Sequence, residues 1–357
     1  MENLVTASFW KDKRVFLTGH TGFKGSWLAL WLQTLGARVH GYSLPPPTDP
    51  NLFSVARVAE GLSDARGDLR DATRLNQALH DAQPQIVLHL AAQALVEEGY
   101  RDPVGTYASN LTGTLNLLEA VRSCASVQAV VVVTSDKCYQ NREWSSSYRE
   151  QDPLGGYDPY SSSKAAVEIL TASYRDSFLR ERGVATATAR AGNVIGGGDW
   201  APRRLVPDAL RAFAAETEVV LRHPNAIRPW QHVLEPLAGY LLLAEHLVQE
   251  GNLFASAWNF GPDERDPLTV GKVVERLARQ WGDGAQCSTA PTAGPHEAQL
   301  LKLDSGKARS RLGWQPRWTV ETALQASVDW HRAWLRGADM RAFTLAQIND
   351  YSTTDTP

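Results

Sequence analysis

Cysteine is scarce. The 357-residue chain has three, Cys124, Cys138 and Cys287, and they are far apart. That spacing gives neither a disulfide framework nor a cysteine-type metal site, and it suits a reduced, cytoplasmic setting. The nine histidines show no ligand spacing, so no structural metal is expected. Surplus charge is also missing: 36 Lys and Arg stand against 39 Asp and Glu, a formal net charge of -3. Nothing therefore points to a nucleic-acid partner or an anionic membrane surface. No apolar run is long enough to span a bilayer. The opening "MENLVTASFWKDKR" lacks the charged start and apolar stretch of an export signal. Internal repeats and low-complexity segments are absent, and metal, membrane and nucleic-acid functions recede together.

What remains is an alternation. "RVFLTG" reads as a strand, "FKGSWLALWLQTLG" as a helix stopped at Gly36, and "ARVHGY" as a second strand. "DATRLNQALHDA" is a helix opening on an acid, and "QIVLHLAA" is a strand. Residues 103–124 form a long helix with Pro103 in its first turn, and "VQAVVVVTS" follows as a strand. The strands are almost wholly apolar, as they are when helices cover both faces of a sheet. Strands alternating with helices predict an α/β fold with a parallel, doubly wound sheet. After residue 195 the rhythm breaks at "GGGDWAPRRL", a loop of the kind found at a site. The expected organisation is a nucleotide-binding domain over 1–195, to which about 228–262 and 303–330 return. A smaller C-terminal α/β lobe covers 196–227 and 263–302, and 345–357 is expected to fray.

"TGHTGFKG" (18–25) places Gly19, Gly22 and Gly25 between the first strand and the first helix. Glycines there allow a tight turn, close approach of backbone to a pyrophosphate and close helix packing, with the helix N-terminus facing the phosphates. The expected ribose-binding acid about 20 residues on is missing: no Asp or Glu stands between Gly25 and Asp49. Ser43 is the only nearby substitute at the end of the second strand. A loose grip on the cofactor follows. Asp68, in "GDLRD", follows the third strand, where a helix cap is the plain reading. Tyr160 and Lys164, in "YSSSK", share one helix face at i and i+4. A nearby ammonium favours a phenolate, which would make Tyr160 a base near neutral pH. The strand before them ends in Ser135, Asp136 and Lys137, a hydroxyl, an acid and an amine in a row. The plain alternative for the three is a polar strand end.

The GxxGxxG turn, the strand-end serine and YxxxK together resemble the extended short-chain dehydrogenase/reductase family, with its Rossmann-type sheet. In that family the serine holds the substrate hydroxyl, and apolar or small residues follow it in epimerases and reductases. An acid and an amine there resemble the nucleotide-sugar 4,6-dehydratases, whose usual triplet is Thr-Asp-Glu; Lys137 departs from it. "GHTGFKGSW", "TSDKCY", "AGNVIGGGDW" and "IRPWQHVLEP" are similar to the branch acting on CDP-D-glucose, over roughly residues 12–335. The resemblance implies NAD as cofactor, held by Gly19, His20, Gly22, Phe23, Gly25, Asp68, Leu69, Ala91, Ala92, Tyr160 and Lys164. It implies catalysis by Ser135, Asp136, Lys137, Tyr160 and Lys164, with Lys137 either removing the C5 proton or only stabilising the enolate. It implies CDP-D-glucose bound by Gln93, Asn193, Arg204, Val206, Arg228, Asn259, His296 and Glu297. It implies a homodimer, or a tetramer, through the helices at 103–124 and 160–182. Competing readings are a dTDP-glucose or GDP-mannose dehydratase, a nucleotide-sugar 4-epimerase or reductase, and a non-catalytic dinucleotide-binding protein.

Overall fold

The computed structural model describes residues 5–221, 223–262, 268–282, 285–289 and 300–354. Seven strands form the main sheet: β1 (Arg14–Thr18), β2 (Arg38–Ser43), β3 (Ser63–Arg66), β4 (Ile86–His89), β5 (Ala129–Val133), β6 (Ala185–Ala191) and β7 (Ala257–Phe260). Every neighbouring pair runs parallel, in the order β7-β6-β5-β4-β1-β2-β3. The order reverses between β1 and β4, so the crevice at their C-terminal ends is the switch point where such sheets bind ligands. All of β5 is buried, as the run of valines requires.

β6 is also wholly buried although it carries Arg190. The guanidinium is paired at 2.7 Å with Glu168 on the Pro159–Tyr174 helix, and both side chains are 3% exposed. Glu168 also accepts hydrogen bonds from Thr134 and Thr188, and Arg190 donates to the Tyr139 hydroxyl at 2.8 Å. Removing one partner of such a pair strands the other charge in a low-dielectric interior. Arg190→Met should therefore cost about 3–5 kcal/mol in urea unfolding. A loss under about 1 kcal/mol would place the pair with weakly coupled surface bridges instead.

The long helix over 103–124 forms, but not as one regular rod. Asp102 caps it by accepting from Gly105 N at 2.8 Å, and Pro103 occupies the first turn. A π turn spans Ala108–Thr112 before the α-helix resumes at Gly113–Ser123. The second lobe is built around a parallel pair, Glu218–Leu221 with Gln286–Thr289. The helices Leu205–Ala214 and Val270–Trp281 cover it through Leu210, Phe213, Val274 and Leu277. The Val320–Leu335 helix sends Leu324 and Val328 into this lobe and Trp330 into the main core.

The tail does not fray as expected over its described residues. Met340–Thr353 is a helix, with Ile348 and Tyr351 buried. Tyr351 packs edge-on against Trp31 and Trp318 and donates to buried Glu235 at 2.8 Å. Local polarity suggested a loose end, but a few apolar contacts to distant helices outweigh it. No described helix is long and apolar enough to cross a membrane.

Candidate active site

The glycine turn sits at the switch point. Gly19 follows β1 with φ of +78°, and a Cβ there would lie 2.7 Å from Ala91 N, just beyond β4. Gly25 is pressed onto the turn, its Cβ position being 2.0 Å from Gly19 O. Gly22 differs: a Cβ there would meet only Gly19 O, at 3.4 Å. Its missing side chain leaves open space in front of the turn rather than relieving a protein contact. The Phe23–Thr34 helix starts there with Gly22 as N-cap and no side-chain cap. Open space before uncapped N–H groups is what a pyrophosphate needs, so these residues fit a dinucleotide.

The adenosine end departs from expectation. His20 is fully buried, packed under Gly41 and bonded through Nε2 to Asp64 Oδ1 at 2.8 Å, so its side chain serves the fold. Ser43 lies within 2.8 Å of the Thr21 hydroxyl. An acid does reach this corner, but from the third strand: Asp64 on β3, which also pairs with Arg66 at 2.8 Å. Asp68 does not cap the following helix, a role taken by Asp71, which accepts from Arg74 N. Asp68 binds Arg70 at 2.6 Å, and that hydrogen bond holds its carboxyl below the usual range. Leu69 beside it is buried.

The catalytic candidates converge. Asp158 caps their helix by accepting from Ser161 N at 2.9 Å, and Pro159 fills the first position. Tyr160 and Lys164 follow one turn apart, 8% and 5% exposed. Ser135 hydrogen-bonds Tyr160. Burial pushes Tyr160 up to about 12, opposed by the Ser135 bond and by Arg204. Lys164 donates to Val133 O at 3.1 Å, and burial lowers it to about 8 against the pull of Glu168. Dehydration outweighs charge here, so the protein alone holds a phenol at neutral pH.

Asp136 is 2% exposed, and burial raises its pKa against Lys137, Ser135 and Arg228. Oδ1 accepts from the Ser135 hydroxyl at 3.1 Å, and buried Oδ2 has no hydrogen-bond partner among the described residues. Burial disfavours the charged form of this carboxyl and one of its oxygens is uncommitted, an arrangement suited to donating a proton. Lys137 stands beside it, half-buried.

The expected sugar-nucleotide contacts divide. Arg204 points in from the second lobe, held by Asp199 at 3.0 Å and within electrostatic reach of Tyr160. Arg228 reaches toward Asp136. Asn193 begins a short strand, Asn193–Ile195, half-buried beside Trp230. Three others serve the fold. Gln93 donates to Leu95 O in its own loop at 3.0 Å and to Thr106 Oγ1 on the Pro103–Tyr107 helix at 2.9 Å. Val206 packs in the core of the second lobe. Asn259 is fully buried, accepts from Tyr139 and donates to Tyr148 O and Asp304 O. His296 and Glu297 lie outside the described residues.

Two residues escaped the sequence reading. Asn110, on the π turn, bonds Gln93 through N and O and donates to Ser163 Oγ at 2.9 Å, tying the β4 loop to the catalytic helix. Its only signal was a polar residue in an apolar helix. Lys24, inside the glycine motif itself, reaches Tyr240 across the crevice. The loop before Arg204 is clamped from behind. Trp27 donates to Gly197 O at 2.9 Å, and Trp200 packs edge-on against Trp330 and Trp334, with centroids 5.5 and 5.0 Å apart.

A parallel sheet with a glycine turn at its switch point, facing a serine and a buried Tyr–Lys pair, defines an enzyme of the short-chain dehydrogenase/reductase type. Known proteins narrow this. The family model described as GDP-mannose 4,6 dehydratase matches residues 16–326, and the chain belongs to that family. It is 48% identical to CDP-glucose 4,6-dehydratase of Salmonella typhimurium, over 99% of this chain and all of that one. It is 26% identical to dTDP-glucose 4,6-dehydratase of Xanthomonas campestris pv. campestris, over 93% and 97% of the two chains. Among solved structures, UDP-glucose 4-epimerase of Thermotoga maritima with UDP-glucose superposes with a TM-score of 0.78 at 21% identity, covering 90% of this chain and 99% of that one. The dTDP-glucose 4,6-dehydratase of Bacillus anthracis in complex with NAD gives 0.74 at 21% identity, covering 90% and 96%. At those identities the structures speak for the fold alone.

Proposed function

We propose that the chain is a CDP-D-glucose 4,6-dehydratase, a hydro-lyase making CDP-4-dehydro-6-deoxy-D-glucose and water. The observation that carries this reading is Asp136. A buried carboxyl with raised pKa and a free oxygen, next to the Ser135–Tyr160 pair, has no task in a plain epimerisation or reduction. It has one in expelling a hydroxyl. The 48% identity to a CDP-glucose enzyme over the full chain supports the nucleotide.

NAD, when bound, supplies the acceptor for the C4 hydride and its return to C6. The glycine turn and uncapped helix end would hold its pyrophosphate, and Tyr160 and Lys164 would lie along its nicotinamide half. Ser135 fixes the C4 oxygen, and Tyr160 receives the C4 hydroxyl proton. The resulting ketone acidifies the C5 proton, because the carbanion delocalises as an enolate. Lys137 takes that proton or stabilises the enolate, and Asp136 delivers a proton to the departing C6 oxygen. Arg204 and Arg228 are placed to meet the diphosphate, since guanidinium forks match its oxygens.

The test is incubation with NAD and, separately, CDP-D-glucose, dTDP-glucose, GDP-mannose and UDP-glucose, with no added reductant. A product one water lighter should form from CDP-D-glucose at the highest rate. Preference for another nucleotide would move the chain to a sister activity, and an isomer of unchanged mass would make it an epimerase.

The expected homodimer draws support from exposed apolar side chains on the two candidate helices: Val104 at 78%, Ile169 at 61% and Phe178 at 42%. Sedimentation should give twice the chain mass, and Ile169→Lys should shift it toward the monomer.

A further inference from the structure

Glu168 lies on the catalytic helix Pro159–Tyr174, one turn beyond Lys164 and two beyond Tyr160, and is buried. That spacing puts it on their face of the helix, and its charge acts on Lys164. Its two oxygens gather three donors. Oε1 accepts from the Thr134 hydroxyl, and Oε2 accepts from Thr188 Oγ1 and from the Arg190 guanidinium, each at 2.7 Å. Arg190, on β6, donates in turn to the Tyr139 hydroxyl at 2.8 Å, and its guanidinium carbon lies 4.9 Å from the centre of that ring. The Tyr139 hydroxyl gives its own hydrogen to Asn259 at 2.7 Å.

Thr134 immediately precedes Ser135, and Tyr139 comes two residues after Lys137. The acid of the buried pair therefore holds one end of the Ser135–Asp136–Lys137 segment, and the guanidinium holds the other. Between the two ends lies a single 3₁₀ turn, Asp136–Cys138, and so short a turn has little stability of its own. Stability is also a weak reason to bury charge here, because a well-packed apolar pair often serves as well. We propose that the Glu168–Arg190 pair is a clamp that aims this segment at the sugar, Glu168 fixing its entry through Thr134 and Arg190 its exit through Tyr139. Both are positioning residues, acting through the neighbours they hold. The inference rests on the reading of the segment as catalytic. In that reading Ser135 serves the C4 oxygen and Asp136 the C6 oxygen, so a segment held at one end pivots away from one as it meets the other. A misplacement of about 1 Å can cost about 10²-fold in rate.

Replacing either charge would also cost stability, so the test severs the arms and leaves the pair. Thr134→Val keeps the shape and removes the hydroxyl that Glu168 holds; Thr134→Ser keeps the hydroxyl. Tyr139→Phe keeps the ring stacked on Tyr148, centroids 5.0 Å apart, and removes the hydroxyl that Arg190 holds. Each is assayed with whichever sugar nucleotide the wild type turns over fastest, under conditions where urea unfolding shows the variant fully folded. In Thr134→Val and Tyr139→Phe, kcat should fall by about tenfold to 10²-fold, while KM and the calorimetric affinities for NAD and CDP stay near those of the wild type. Thr134→Ser should keep most of the turnover. Wild-type kcat in the folded Thr134→Val and Tyr139→Phe proteins, or equal losses in Thr134→Val and Thr134→Ser, would overturn the clamp while dehydration by the wild type left the functional reading intact. If the wild type makes no product one water lighter from any sugar nucleotide, the reading and the clamp fall together.

Discussion

In Tyr160→Phe, turnover of CDP-D-glucose should fall by about 10²–10⁴-fold while the sugar nucleotide still binds at near-normal affinity. The phenyl ring keeps the packing of a buried side chain and removes only the oxygen bonded to Ser135. That oxygen is where the C4 hydroxyl proton must go. Because burial pushes the unliganded tyrosine up to about 12, the acceptor form becomes more available as pH rises. The wild-type rate should accordingly climb through the neutral range, and residual activity of the Phe variant should lose that slope. Chemistry on the C4 hydrogen at the wild-type rate in Tyr160→Phe would show that another group takes the proton.

Asp136→Asn should be as damaging at a different step. Asparagine keeps the shape and the bond to Ser135 but has no acid proton to give. Water loss should drop by about 10²–10⁴-fold, while C5 hydrogen still exchanges with solvent deuterium. Lys137→Met separates the two roles left open for the amine. A base role predicts that C5 exchange and elimination vanish together while oxidation at C4 proceeds. An enolate-stabilising role predicts that both slow and exchange survives. Near-normal turnover in both variants would return the triplet to a polar strand end.

The legible parts of this molecule were those whose cause is local. The glycine turn declares itself because Gly19 and Gly25 answer contacts within one βα unit and the neighbouring strand end. "DPYSSSK" carries its own cap, first-turn proline and i, i+4 spacing. The valines of β5 admit only a strand buried on both faces. What could not be read depends on partners far along the chain. Lys24 acquires its meaning from Tyr240, 216 residues away. Asn259 resembled a binding residue until Tyr139, Tyr148 and Asp304 claimed its amide. The spacing of Tyr160 and Lys164 reports which face the pair shares and says nothing of how dry that face is. Arg190 and its partner Glu168 belong here too, since the strand that buries the arginine and the helix that supplies the acid meet only in the fold.

Trp200 bears on how this scaffold can be reused. The loop that delivers Arg204 is nailed to the back of the molecule by three indoles, Trp27, Trp330 and Trp334, and Gly197 lies so close to Trp330 that a Cβ would fall 1.9 Å from its ring. An engineer retuning the enzyme for a different sugar cannot graft a new loop onto the rim alone. The graft must preserve the glycine and the tryptophan, or bring its own Val320–Leu335 helix, because the aim of the arginine is set on the far side of the protein.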